Sequence, residues 1–209
     1  MLRSRNAARG ESGAPAVGRR LLHRLSTLGA LCALWAAAPC LSPPAAAQVA
    51  EAHELKAAFL YNFTKFVEWP AEAFPDRGSR FRICVVGDEL LAEFLEDLVA
   101  GEAVRGRPLE VGRHGRARDA RSCQILYVAP GAEPEDLWTV PGVGEGRVLT
   151  VGESEEFLRA GGLIRYRLVG GRIRLQVNDP ARVASRLRIS SKLLQLCDLV
   201  TPARARRGE

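Results

Sequence analysis

KAAFLYNFTKFVEWP, residues 56–70, is the stretch whose reading decides the fold. Leu55, Phe59, Phe63 and Phe66 follow one another at intervals of four, four and three, which sets them on one stripe of an α-helix. Lys56, Asn62, Lys65 and Glu68 fall mostly off that stripe. Pro70 supplies no N–H and restricts the residue before it, so the helix is expected to end there. The spacing predicts a first helix that lays four large side chains on a sheet. Trp69 is read as the last core residue; an exposed aromatic offered to a partner is the other reading.

Downstream, short apolar runs alternate with helical patterns. Phe81–Val86 reads as a strand, and Gly87-Asp88 turns it into a helix over Glu89–Val99 with Leu91, Phe94, Leu95 and Leu98 on one side. Gly101 closes that helix as a left-handed cap. A brief strand is expected near residues 109–111, a second over 123–128, and a short helix opened by acids over 134–138. Residues 147–151 make a further strand and 153–158 a helical turn or two, closed by Gly161-Gly162. Residues 163–169 and 172–177 alternate around Gly170-Gly171, the signature of a hairpin. Arg172, Arg174 and Gln176 share one of its faces, with Ile173, Leu175 and Val177 on the other. Helical segments are expected from Pro180 to about Leu199. The fold class is α/β: one layered domain, a mostly parallel sheet flanked by helices, with a β-hairpin near one edge.

Residues 1–47 are read apart from that domain. Arg19, Arg20 and Arg24 precede an apolar run from Leu25 to Ala38, and Ala45-Ala46-Ala47 offers small residues for cleavage. The run is shorter than the ~20 residues that span a bilayer. This is the pattern of a secretory signal cut after Ala47, leaving an exported domain over 48–199 and a charged tail over 200–209 expected to be disordered. The chain carries +6, but six of its 30 basic residues and one of its 24 acids lie in 1–47, which leaves the body at +1. A near-neutral body lacks the basic face that nucleic-acid binding needs.

Export makes disulfides possible. Cys84, Cys123 and Cys197 remain beyond residue 47. If Cys84 and Cys123 lie in parallel strands of one sheet, their thiols can sit near the same end. A disulfide between them is the favoured reading and two buried free thiols the alternative. A bond closing that separation of 39 is worth about 3–4 kcal/mol in the chain-entropy model. Cys197, among Leu193, Leu194 and Leu196, reads as a small buried hydrophobe in a terminal helix.

Enzyme signatures are missing. His53 and His114 have no metal-ligand spacing, and no cofactor or metal is expected. No Gly-x-Ser-x-Gly elbow occurs. Ser190-Ser191-Lys192 lacks the Ser-x-x-Lys spacing, and Ser190 reads as a helix N-cap. Gly142, Gly144 and Gly146 precede a strand rather than open a helix and read as a flexible loop. Asp88, Glu89, Glu93, Glu96 and Asp97 read as a solvated helix face. The residues point to a protein that binds rather than catalyses.

The combination of Phe63–Pro70 as F-x-K-F-x-E-W-P, FRICVVGD at 81–88, Gly106-Arg107-Pro108-Leu109, Cys123-Gln124-Ile125-Leu126, Gly161-Gly162-Leu163-Ile164, Arg172-Ile173-Arg174 with Asn178, and ISSKLL at 189–194 resembles the YfiR family over about residues 52–198. The resemblance implies a periplasmic α/β regulator, often a homodimer, that represses an inner-membrane diguanylate cyclase through its periplasmic sensor part and so lowers cyclic-di-GMP and biofilm formation. It also implies that Cys84 and Cys123 match a family cysteine pair. Some members carry a second pair where this chain has residues 156–167 and no cysteine, so redox tuning through a second bond does not carry over. A docking face for an inner-membrane sensor protein is expected around Lys65, Glu68, Trp69 and Phe74. The alternative is a small-ligand module using the crevice at the carboxyl ends of the strands, near Gly87-Asp88 and Ala129-Pro130. Asp88 is the candidate residue there.

Overall fold

The computed structural model describes residues 45–170 and 172–203. The expected leader up to residue 44, and most of the charged tail, lie outside the described residues, while Ala45-Ala46-Ala47, the expected cleavage signal, opens the first helix. Helix α1 spans Ala45–Phe66. Then follow β1 (Val67–Glu68), β2 (Phe81–Val86), α2 (Glu89–Val99), β3 (Ala103–Val104), β4 (Arg107–His114), β5 (Ile125–Val128) and β6 (Leu149–Gly152). The chain continues through α3 (Glu155–Arg159), β7 (Ile164–Val169), β8 (Arg172–Asn178), α4 (Asp179–Ala184), β9 (Arg188–Ile189), α5 (Ser191–Leu194) and β10 (Cys197–Val200).

One sheet takes the order β10-β8-β7-β6-β5-β2-β4-β3. Its centre is parallel: β2 lies between β4 and β5, and β5, β6 and β7 follow side by side. The β7–β8 pair is the antiparallel hairpin, with Val169 opposite Arg172, and β10 then pairs in parallel outside β8. The expected architecture is the observed one.

The strand period of two divides the core in two. Phe81, Ile83 and Val85 of β2 share one face with Ile125 and Tyr127 of β5, packed under Leu60 and Phe63 of α1 and Leu91 and Leu95 of α2. Cys84, Val86, Leu126 and Val128 face the other way onto Leu137, Val140, Phe157 and Leu158. Cys84 and Cys123 form a disulfide with Cα atoms 5.8 Å apart. Short polar residues start the helices: Asp88, Ser154, Asn178 and Ser190 each accept a backbone N–H with the side chain, from Leu91, Phe157, Ala181 and Leu193. That is the N-cap role expected of Ser190.

Three expectations are corrected. The inward face of α1 carries Ala57, Leu60, Phe63 and Thr64, while Leu55 is 44% and Phe66 38% exposed. The buried face lies about a third of a turn from the stripe of large residues. Small Ala57 and Thr64 let the helix approach its neighbours closely, and the Thr64 hydroxyl is satisfied by donating to the Tyr61 carbonyl at 2.6 Å. The helix also stops before Pro70, because Val67–Glu68 extends to pair antiparallel with Arg188–Ile189 and Ser190 N–H donates to the Phe66 carbonyl. Finally, Cys197 heads strand β10 instead of lying in a helix: its segment pairs with Leu175–Asn178, residue for residue. An open sheet edge at β8 outweighs the helical preference of the local leucines.

Phe157 fixes how α3 seats on the sheet. A Cβ at Gly162 would fall 2.2 Å from its ring, and one at Gly152 2.6 Å. Nearby, Asn178 Nδ2 donates to the Leu158 and Gly162 carbonyls at 3.1 and 3.0 Å. Gly162→Ala therefore overpacks a closed site and is expected to cost about 2–3 kcal/mol, read as a lower urea midpoint at unchanged slope. An unaltered midpoint would show that the ring moves aside freely.

Candidate functional site

The amino-terminal edge of the parallel strands is built by residues that converge from four segments. After β1 the chain crosses this edge through Trp69, Pro70, a 3-10 turn at Ala71–Ala73, and Phe74. The Trp69 ring meets Phe81 edge-on at 4.7 Å, and its Nε1 donates to the Gln124 carbonyl at 2.9 Å. Trp69 is thus half-buried, a core residue by one edge and part of the surface by the other. Phe74 lies 6.1 Å from Phe81 between ring centroids.

Gln124 holds this arrangement together and went unrecognised as a structural centre in the sequence. It is buried at the entry to β5. Its Oε1 accepts the Arg82 N–H at 2.7 Å, and its Nε2 donates to the Ala73 carbonyl at 2.7 Å. One side chain links the crossing segment to β2. Gln124→Ala removes both bonds and leaves a backbone N–H of β2 without its partner, at an expected cost of about 2–3 kcal/mol. A denaturant midpoint within error of the parent would contradict that role.

The β3–β4 hairpin supplies the charged side. Arg105 and Gly106 have φ of 50° and 75°, the left-handed geometry of a tight two-residue turn. Arg107 Nη1 donates to the Asp76 and Ser79 carbonyls at 3.0 and 2.7 Å, and its guanidinium lies 4.0 Å over the Phe74 ring. Arg105 reaches Glu68 at 3.5 Å. These groups enclose a hollow of about 250 Å³ lined by Thr64, Trp69, Phe74, Phe81, Val104 and Arg105, among others. Glu68 stands at its rim through Arg105. Lys65 sits one turn before, its Nζ 4.1 Å over the Tyr61 ring. A second hollow of about 220 Å³ opens on the other side of the crossing segment, lined by Glu72, Ser122, Cys123, Gly142, Arg147 and Val148 among others.

Asp88 lies elsewhere. It caps α2 at the opposite, carboxyl-terminal end of the strands, where its Oδ2 is 3.2 Å from His53 Nε2. Lys56 Nζ meets Glu153 Oε1 at 2.6 Å just beyond β6, and the Tyr127 hydroxyl donates to the same carboxylate. Burial, with the Glu153 charge beside it, pushes the Tyr127 phenol far above its usual range, so it acts there as a neutral donor. Helix α1 therefore ties down the crevice where sheets of this kind commonly take ligands.

A further cluster escaped the spacing rules because its members come from three elements. His114, at the end of β4, lies beside Cys84 and Cys123. Burial, with Arg82 nearby, lowers the pKa of this imidazole and favours its neutral form. Among the described residues, no helix is long and apolar enough to cross a membrane.

Residues 53–198 match the model of a protein family described as YfiR/HmsC-like. No curated protein matches the chain.

Proposed function

Because the chain belongs to the YfiR/HmsC-like family, we propose that it is an exported, non-catalytic regulator, freed of residues 1–47, that docks on the periplasmic sensor part of an inner-membrane signalling protein and represses it. The partner is a diguanylate cyclase, and docking lowers cyclic-di-GMP. Family membership supports regulation over catalysis, and a disulfide-bonded domain suits an oxidising compartment. The regulator acts as a homodimer, as the family resemblance implies.

The observation that carries the docking site is the hollow framed by Trp69 and Phe74 with Arg105 and Arg107 beside it. An aromatic-lined cup next to cations suits an apolar anchor flanked by carboxylates on the partner. Glu68 and Lys65 form the polar rim. The small-ligand reading is weaker, because His53 against Asp88 and the ion pair of Lys56 with Glu153 take up polar groups of the crevice it relied on.

The test is direct binding. The protein is titrated against the purified periplasmic domain of each diguanylate cyclase of the source cell. One of them is expected to bind with micromolar affinity or better, about −8 kcal/mol. Failure of every domain to bind would overturn the docking reading.

A further inference from the structure

Two sulfurs and an imidazole nitrogen meet on the second face of the sheet. Cys84 Sγ, Cys123 Sγ and a ring nitrogen of His114 lie within 4.8 Å of one another. The parallel register explains the meeting. Cys84 stands opposite Gly112, and His114 follows two residues later on the same face of β4. Gly112 has no side chain, so the imidazole can lie back toward the sulfurs: a Cβ there would be 3.0 Å from His114 Nε2 and 3.6 Å from Cys84 Sγ. His114 Nε2 is buried and has no hydrogen-bond partner among the described residues. Buried polar nitrogens are seldom left without one, and such an exception asks for an explanation.

We propose that Cys84, Cys123 and His114 form a binding site for a thiophilic d¹⁰ cation, Zn²⁺, when the disulfide is reduced. Two thiolates and one imidazole are a donor set that selects such ions over Mg²⁺ or Ca²⁺, which need oxygen ligands. Cys123 also lines the second hollow, which offers an approach to the site from solvent. Arg82 lies along the same face, its charge met by Glu110 at 2.8 Å, so the two thiolates can balance the metal's charge. A dithiol gives two electrons and two protons to the S–S bond and becomes a disulfide itself, leaving Cys84 and Cys123 as thiols. The metal then displaces one proton from each thiol while His114 binds through its lone pair. Disulfide and metal complex are mutually exclusive states of the same two sulfurs.

The experiment uses the full chain with Cys32, Cys40 and Cys197 replaced by serine, which leaves the two cysteines of the site. Co²⁺ and then Zn²⁺ are titrated into the oxidised protein and into protein reduced by a phosphine. Reduced protein is expected to take up one equivalent of Co²⁺ with a thiolate-to-cobalt charge-transfer band, which Zn²⁺ displaces one for one; oxidised protein is expected to show neither. His114→Ala should weaken Zn²⁺ binding by about a hundredfold or more, since even outer partners of a metal site are worth 10–100-fold. If reduction alone unfolds the domain, added Zn²⁺ should restore its near-ultraviolet circular dichroism. Absence of the cobalt band in folded reduced protein, failure of Zn²⁺ to restore an unfolded one, or equal affinity in His114→Ala would each overturn the proposal.

Discussion

Replacing Cys84 and Cys123 together by alanine is expected to lower the melting temperature by about 10 °C. The bond closes a separation of 39 residues. Freeing that loop in the unfolded chain is worth about 3–4 kcal/mol in the chain-entropy model, and each kcal/mol moves the melting point of a domain this size by roughly 2–4 °C. The bond spans β2 and the entry to β5, two strands at the centre of the sheet, so the folded state holds the two ends together without it. The loss therefore appears mainly as a more disordered unfolded state, and the native strand pairing persists in the variant. Reduction of the unaltered protein in the presence of a metal chelator should produce the same shift. A melting temperature unchanged by both treatments would contradict the structural weight given to this bond.

The second large effect concerns docking. Arg105→Asp should weaken binding to the sensor domain by at least about tenfold, ~1.4 kcal/mol, because it reverses a cation beside the apolar cup. Stability should barely change. Arg105 is exposed and pairs with exposed Glu68, and such surface pairs contribute little. Its φ of 50° is one that aspartate tolerates better than most residues. Phe74→Ala is the companion variant, since it removes one wall of the cup and the ring under Arg107. Trp69→Ala is less informative: Trp69 also supports Phe81 and bonds Gln124, so its loss combines folding and docking. Full binding by both Arg105→Asp and Phe74→Ala would move the interface away from this hollow.

The sequence was most legible where local chemistry and tertiary demand agree. β2 and α2 occupy the predicted residues because an apolar run, a left-handed glycine and a capping aspartate follow one another. The β7–β8 hairpin was legible because its two faces differ in polarity: Leu175 and Val177 are buried, and Arg172 and Arg174 are exposed. Elements that depend on distant partners were not. Strand β10 exists because β8 leaves an edge to pair with, and β4 is longer than expected because the whole of β2 lies alongside it. The glycine-rich segment at 142–146 read as a free loop. Gly146 instead packs against the chain, where a Cβ would lie 2.9 Å from Ser185 Cα and its carbonyl accepts the Arg186 N–H.

The candidate site divides in the same way. Trp69 and Phe74 stood out as aromatics near a helix exit, and the fold brings them to one hollow. Arg105 and Arg107 lie more than thirty residues on, and only the short β3–β4 hairpin carries them there. Asp88 looked like a crevice residue because it follows a strand and a glycine. Those same features make it the cap of α2 and the partner of His53. His114 could not be found by spacing, since its link to Cys84 runs across strands through the register of β2 with β4.

The measurement that tests the central claim most directly is cyclic-di-GMP in the source cell after deletion of residues 48–199. Loss of a repressor predicts a clear rise, reversed by the intact protein supplied in trans. An unchanged level of cyclic-di-GMP, with the deletion verified, would contradict repression of a diguanylate cyclase.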